Sequence, residues 1–216
     1  MLKRGLKTLS GTILLVMSVA VNADNLLPNP EFTISAPWND AQKQGLHAKI
    51  TTESPEFATS WFVSPDDSPE NAKVKYSKTI DVNGKKVNVI SLSSSTGKIV
   101  LSVYFYNLPI STFPAGKKFQ FAATAKGNGQ MTFGFFCYEK GTFKFIGGAT
   151  AGTFALSENW GAVWSKPFDN SAFPAGTDSV APYIAFSGDG DISSATLCEV
   201  AAEQQQETVE KPVKNK

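Results

Sequence analysis

From Val87 onward, apolar and polar positions alternate over short runs, separated by clusters of Gly, Pro, Asn and Ser. The alternation has period two, the mark of strands with one buried face. It predicts strands over 87–92, 99–107, 118–126, 131–139, 143–149, 160–168, 180–187 and 192–200. No helical period competes with it there. Breaks such as Lys126-Gly127-Asn128-Gly129 and Gly188-Asp189-Gly190-Asp191 carry turn chemistry, because Gly and Asn tolerate positive φ. Short strands at this spacing predict an all-β sandwich in a single domain. Two stretches echo each other, Phe113-Pro114-Ala115-Gly116 and Phe173-Pro174-Ala175-Gly176, and each reads as the entry to a strand. The segment 40–86 is longer and more polar. It is expected to hold one or two irregular strands and a surface excursion, with Ser64-Pro65-Asp66-Asp67-Ser68-Pro69 as its most loop-like part.

Reading each strand for parity separates two kinds of outer face. In 99–107, Ile99, Leu101, Val103 and Phe105 share the core side, while Ser102, Tyr104 and Tyr106 face away. In 131–139 the core side is Met131, Phe133, Phe135 and Cys137, and Thr132, Gly134, Phe136 and Tyr138 lie opposite. In 180–187, Val180, Ile184 and Phe186 point in and Tyr183 points out. The strand 118–126 differs: Phe119, Phe121, Ala123 and Ala125 point in, and Gln120, Ala122, Thr124 and Lys126 make an ordinary wetted face. A jelly roll deals strands alternately to two sheets. The strands of Tyr104, Phe136 and Tyr183 then share one sheet, and Gln120 belongs to the other. One sheet is expected to carry an aromatic outer face and its partner a plain polar one.

Flat rings on a rigid sheet suit sugars, whose C–H faces stack on aromatic rings while neighbouring polar groups bond the hydroxyls. Tyr104, Tyr106, Phe136, Tyr138 and Tyr183 are the candidate ligand-binding residues on that face. Two readings of the face stand: an open binding surface, or one covered by the long segment 40–86. Trp61 sits beside Phe62 in polar surroundings without a strand pattern to hide it, and joins the candidates as a loop aromatic. Trp38 and Trp160 read as core plugs. Trp164 shares strand parity with Trp160.

The ends of the chain differ from its middle. Lys3, Arg4 and Lys7 precede an uncharged apolar run, 11–21, and Val21-Asn22-Ala23 supplies small residues for cleavage. This is the layout of a secretory signal peptide over 1–23, and the run falls well short of the about 20 residues that span a bilayer. The expected mature domain covers 24–200, secreted or periplasmic, followed by a disordered polar tail over 201–216. The full sequence carries a net charge of +1, and losing the three leader cations leaves about −2. So near-neutral a chain has no basic footprint for nucleic acid and no basic amphipathic helix for a membrane surface. In an oxidising compartment Cys137 and Cys198 can pair, or each can serve as a small buried residue.

The stretch Asn25-Leu26-Leu27-Pro28-Asn29-Pro30-Glu31-Phe32 resembles the opening motif of the galactose-binding-like carbohydrate-binding modules (families 4, 9, 16 and 22). Ala115 to Gly127 and Trp160 to Phe168 are similar to two further strands of these modules, and 192–200 takes the place of their closing strand. The resemblance spans nearly the whole mature domain and implies a jelly-roll β-sandwich that binds sugars. It also implies a structural calcium held partly by an Asp of the closing strand. Here that stretch is Ser193-Ser194-Ala195-Thr196-Leu197, without a carboxylate, and Thr33 replaces the Glu that follows the opening Phe. Calcium needs several oxygen ligands, preferably charged, so the ion is not carried over and no cofactor or metal residue is assigned.

No catalytic residue is assigned either. His47 is the single histidine, and no nucleophile elbow, His-x-x-x-His pair or phosphate loop is present. Glycoside hydrolysis needs two opposed carboxylates, whereas the acidic groups here cluster in loops. The sequence therefore leads to a non-catalytic, exported module that binds oligo- or polysaccharide, alone or beside a glycanase or cell-surface partner. The alternative is a structural or protein-interaction sandwich.

Overall fold

A computed structural model describes residues 24–82, 84–103, 107–141 and 144–201. The expected leader, residues 202–216 of the expected tail, and Tyr104, Phe105 and Tyr106 lie outside the described residues. The chain opens with β1 (Ser35–Pro37), the short helix α1 (Asp40–Gly45), β2 (Ile50–Thr52) and β3 (Glu56–Ala58). Next come β4 (Trp61–Glu70), β5 (Ala72–Val82), β6 (Lys85–Ser93), β7 (Thr96–Val103) and β8 (Leu108–Pro109). Then follow β9 (Phe119–Gly127), β10 (Gln130–Glu139), β11 (Phe145–Ala155), β12 (Gly161–Trp164), β13 (Thr177–Ser187) and β14 (Gly190–Glu199).

Most of these strands build two large sheets, and β1 pairs with β3 in a small separate one. The first large sheet has the order β11-β10-β13-β7-β4, with β8 on β13; the second has β12-β9-β14-β6-β5-β2. All pairings within them are antiparallel except β2 with β5. The connections β9–β10, β11–β12, β12–β13 and β13–β14 each pass from one sheet to the other. This is the jelly-roll β-sandwich expected from the strand pattern. The parity assignments for β7, β9, β10 and β13 hold: their inward residues form one buried cluster. Across the gap, Phe121 of β9 stacks on Phe133 of β10, with ring centroids 5.1 Å apart and planes 6° from parallel.

The two echoing turns have a common role. Each follows a short 3-10 turn, Ile110–Thr112 or Asn170–Ala172, and each feeds a strand of a different sheet. Their anchors meet: Phe113 and Phe173 lie 5.2 Å apart, and both touch Phe135. The turns of the opposite end also meet. Asn128 and Gly129 N–H both donate to Asp189 O, and a Cβ on Gly129 would run into Ser187 O. The connections β9–β10 and β13–β14 thus interlock by backbone contact that only glycine allows.

The segment 40–86 corrects the expectation of a loop with irregular strands. It holds α1, two short strands and the long β4 and β5. In β5 the alternation is plain, with Ala72, Val74 and Tyr76 buried and Lys73 and Lys75 exposed. In β4, Pro65, Pro69 and the Asp pair obscure it. That strand lies at the sheet edge, where proline is tolerated, and its register slips between Asp66 and Glu70, with Asp67 and Ser68 at positive φ. The strand expected over 160–168 is shorter, β12 covering only Gly161–Trp164.

Asp169 ties the second strand-entry turn to the residue just before β9: its carboxylate pairs with Lys118 and accepts from the Ser171 N–H and hydroxyl. The Lys118 bond, then those of Ser171, lower its pKa from 3.8 to about 2. A carboxylate depressed on folding adds stability above its unfolded pKa and loses it as pH falls through the folded value. Asp169→Asn is expected to melt lower than wild type at neutral pH. In acid thermal scans the gap should close between pH 3.8 and about 2.

Candidate functional site

Strand register sets the outward side chains of the first sheet in rows. Phe145, Tyr138 and Ser179 form one, and Gly148, Phe136 and Ala181 the next. Thr150, Gly134, Tyr183, Ser102 and Phe62 follow, running from edge to edge. The rings gather at the β11–β10–β13 side. Tyr183 lies over Gly134, where a Cβ would overlap the phenol, so the missing side chain makes the seat. Phe136 packs on Tyr183 at 4.6 Å with planes tilted by 31°. Phe145 stands edge-on to both Phe136 and Tyr138, at 6.2 and 6.3 Å, and is 55% exposed.

Polar groups border these rings. Thr150 lies in the same row as Tyr183, and the Thr132 and Thr153 hydroxyls lie 2.8 Å apart on the same face. The other half of the face is closed. Gly45 of α1 packs so tightly on the Phe62 ring that a Cβ would overlap it. Val100, outward by parity, is only 2% exposed. Asn39 caps α1, and buried Gln42 donates to Trp61 O at 2.9 Å, which fixes the helix against β4. Segment 40–86 covers the β4 side of the face, and on the other side the rings keep part of their surface exposed, Phe145 most of all.

The expected site residues are distributed accordingly. Phe136, Tyr138 and Tyr183 share the open side, each half-buried by its ring neighbours. Tyr104 and Tyr106 lie outside the described residues. Trp61 is a correction: it is no loop aromatic but the first residue of β4, 1% exposed. It packs edge-on to Phe32 and donates its indole N–H to Asn29 O at 3.1 Å. Polar neighbours in sequence hid the strand that buries it. Phe145 and Thr150 were missed because the glycines of β11 and two register shifts against β10 break the alternation.

The second sheet departs from the plain polar face expected of it. Trp38 is in the core, stacked on Phe57 at 4.4 Å. Trp160 is not a core plug: it is half-buried on the outer side, with Lys126 Nζ 5.3 Å from its ring centroid. Trp164 on β12 is 42% exposed. The cysteines are unbridged: Cys137 faces the core from the first sheet and Cys198 is half-buried on the second.

Among the described residues, no three His, Cys, Asp or Glu side chains converge. Oxygens of the opening motif are already engaged by backbone N–H groups. Asn25 Oδ1 accepts from Leu27 and Leu197 N–H, Asn29 Oδ1 from Ile34 N–H, and Pro30 O from Ala195 N–H. Glu31 points away to Lys85. The residues present do not fit a calcium ion. His47 is exposed beyond the end of α1.

No family model matches the sequence, and no curated protein matches it. Solved structures do. The CBM22-1 xylan-binding domain of Paenibacillus barcinonensis Xyn10C is 11% identical with a TM-score of 0.46, over 85% of this chain and 99% of that one. TmCBM61 in complex with β-1,4-galactotriose is 13% identical with a TM-score of 0.42, over 82% of this chain and 100% of that one. The enzymatically active domain of bacteriophage CBA120 tailspike protein 4 is 11% identical with a TM-score of 0.46 over 66% of this chain. This chain spans only 20% of that domain.

Two measurements check the site's geometry. Burial raises the pKa of Tyr138 and Tyr183, in the latter against the lowering effect of Thr150. Alkaline absorbance titration should show Tyr138 and Tyr183 contributing a late-ionising fraction, reduced in Tyr183→Phe. Trp61→Ala should cost about 3–5 kcal/mol in denaturant unfolding, as for other large core truncations.

Proposed function

We propose that this chain is an exported, non-catalytic protein that binds oligo- or polysaccharide on the open aromatic side of its first sheet. The observation that carries the reading is the pair Phe136 and Tyr183, packed together and held flat on the sheet by Gly134. A pyranose offers a C–H face that stacks on such rings, and its hydroxyls bond at the rim. Tyr138, Thr150, Thr132 and Thr153 supply that rim. Because the rings already rest on one another, little side-chain entropy is lost when a ligand settles on them. The helix α1 and Phe62 close the sheet on the β4 side, so a glycan has to lie toward β11. The opening motif Asn25 to Phe32, which resembles that of sugar-binding modules, and the leader-like first residues support the same reading.

Isothermal calorimetry of the folded protein against a panel of soluble glycans tests it. At least one neutral glycan should bind. The double variant Phe136→Ala/Tyr183→Ala should bind it about tenfold or more weakly, a loss of about 1.4 kcal/mol or more. Its unfolding free energy should fall by only about 1–3 kcal/mol, since both rings are half-buried. A folded wild type that binds no glycan would overturn the proposal.

A further inference from the structure

We infer that the outer face of the second sheet carries an independent glycan contact centred on Trp164, so that one chain can bridge two polysaccharide strands. The inference rests on the sugar-binding reading of the first sheet. Trp164 ends β12, the edge strand of the second sheet, and 42% of it is exposed although the core holds other indoles completely. Its register neighbours are small. Trp164 faces Ala122 of β9, and Ala122 faces Thr196 of β14. The next row is Ala162, Thr124 and Ser194. The indole therefore stands beside a low floor that carries three hydroxyls, and among the described residues its partners in register on β9 and β14 are small.

The row beyond bounds this floor. Trp160 lies four residues before Trp164 with the same parity, about 13 Å away along an extended strand. Lys126 sits over its ring and pairs with Asp191 at 3.4 Å. The ion pair is internally neutralised, and the floor between the two indoles bears hydroxyls without charge. A flat ring beside a hydroxylated, uncharged floor selects a neutral sugar chain over a charged ligand. It does not suit strand addition by a peptide: β12 is only four residues long and Pro167 follows soon after it.

The two faces cannot serve a single extended glycan. They point outward from opposite sheets, whose backbones pack about 10 Å apart, so an occupant of one runs on the far side of the sandwich from an occupant of the other. Binding at both joins two chains.

The test uses the full chain, Trp164→Ala, and the first-face double variant Phe136→Ala/Tyr183→Ala. Calorimetry with xylohexaose, cellohexaose and β-1,4-galactotriose reads stoichiometry, and light scattering with the parent polysaccharides reads cross-linking. Wild type should bind two oligosaccharides per chain, and each variant one. Scattering should rise with wild type and stay flat with either variant, while Trp164→Phe keeps it. A wild type that binds one oligosaccharide, unchanged in Trp164→Ala, overturns the second contact and leaves the first face standing. If no glycan binds to folded wild type, both readings fall together.

Discussion

Contact between phenylalanines across the sandwich is the constraint on which the rest depends. Phe121 lies flat on Phe133 and tilts against Phe135, while Phe135 meets Phe113 and Phe173 from the two strand-entry turns. Each inward ring commits its strand to one register, because a slip of one residue would turn the core side out. Once Phe133 and Phe135 face inward, Gly134 and Phe136 must face outward. The exposed rings of the first sheet are a consequence of how the core is packed.

Period two was therefore enough to find most of the sandwich. The inward sets of β7, β9, β10 and β13 follow from alternation, and the jelly-roll dealing of strands to two sheets places Phe136 and Tyr183 in one sheet. What escaped did so for physical reasons. β4 carries prolines and acidic residues that an edge strand accepts and a central one would refuse, so Trp61 looked exposed when it is core. Trp160 looked like core because an indole opening a strand usually is, but its neighbour across the strand pair is Lys126, which offers an ammonium group and a polar surface. The platform itself depends on relations that one strand cannot reveal. Gly134 seats Tyr183 from the neighbouring strand, and Phe145 reaches the cluster only through bulges in β11.

Helix α1 makes the face unequal. By resting Gly45 on Phe62 it closes the β4 half and leaves the rings of the β11 half to solvent. The cap at Asn39 and the Gln42 bond to Trp61 hold it there, so the same polar segment that resisted assignment from sequence decides which half of the face is covered. The two sheets thus differ less in whether they expose aromatics than in how. One gathers several rings into a cluster, and the other holds out an indole at its edge.

The interlocked turns at the end of the sandwich have a bearing on folding. Asn128 and Asp189 are joined by side-chain and backbone hydrogen bonds although 61 positions separate them in the chain. The final shape of each turn depends on contact with the other. Pairings so distant in sequence slow a β fold. Closing this end therefore adds to the non-local contacts that the sandwich has to make before it is complete.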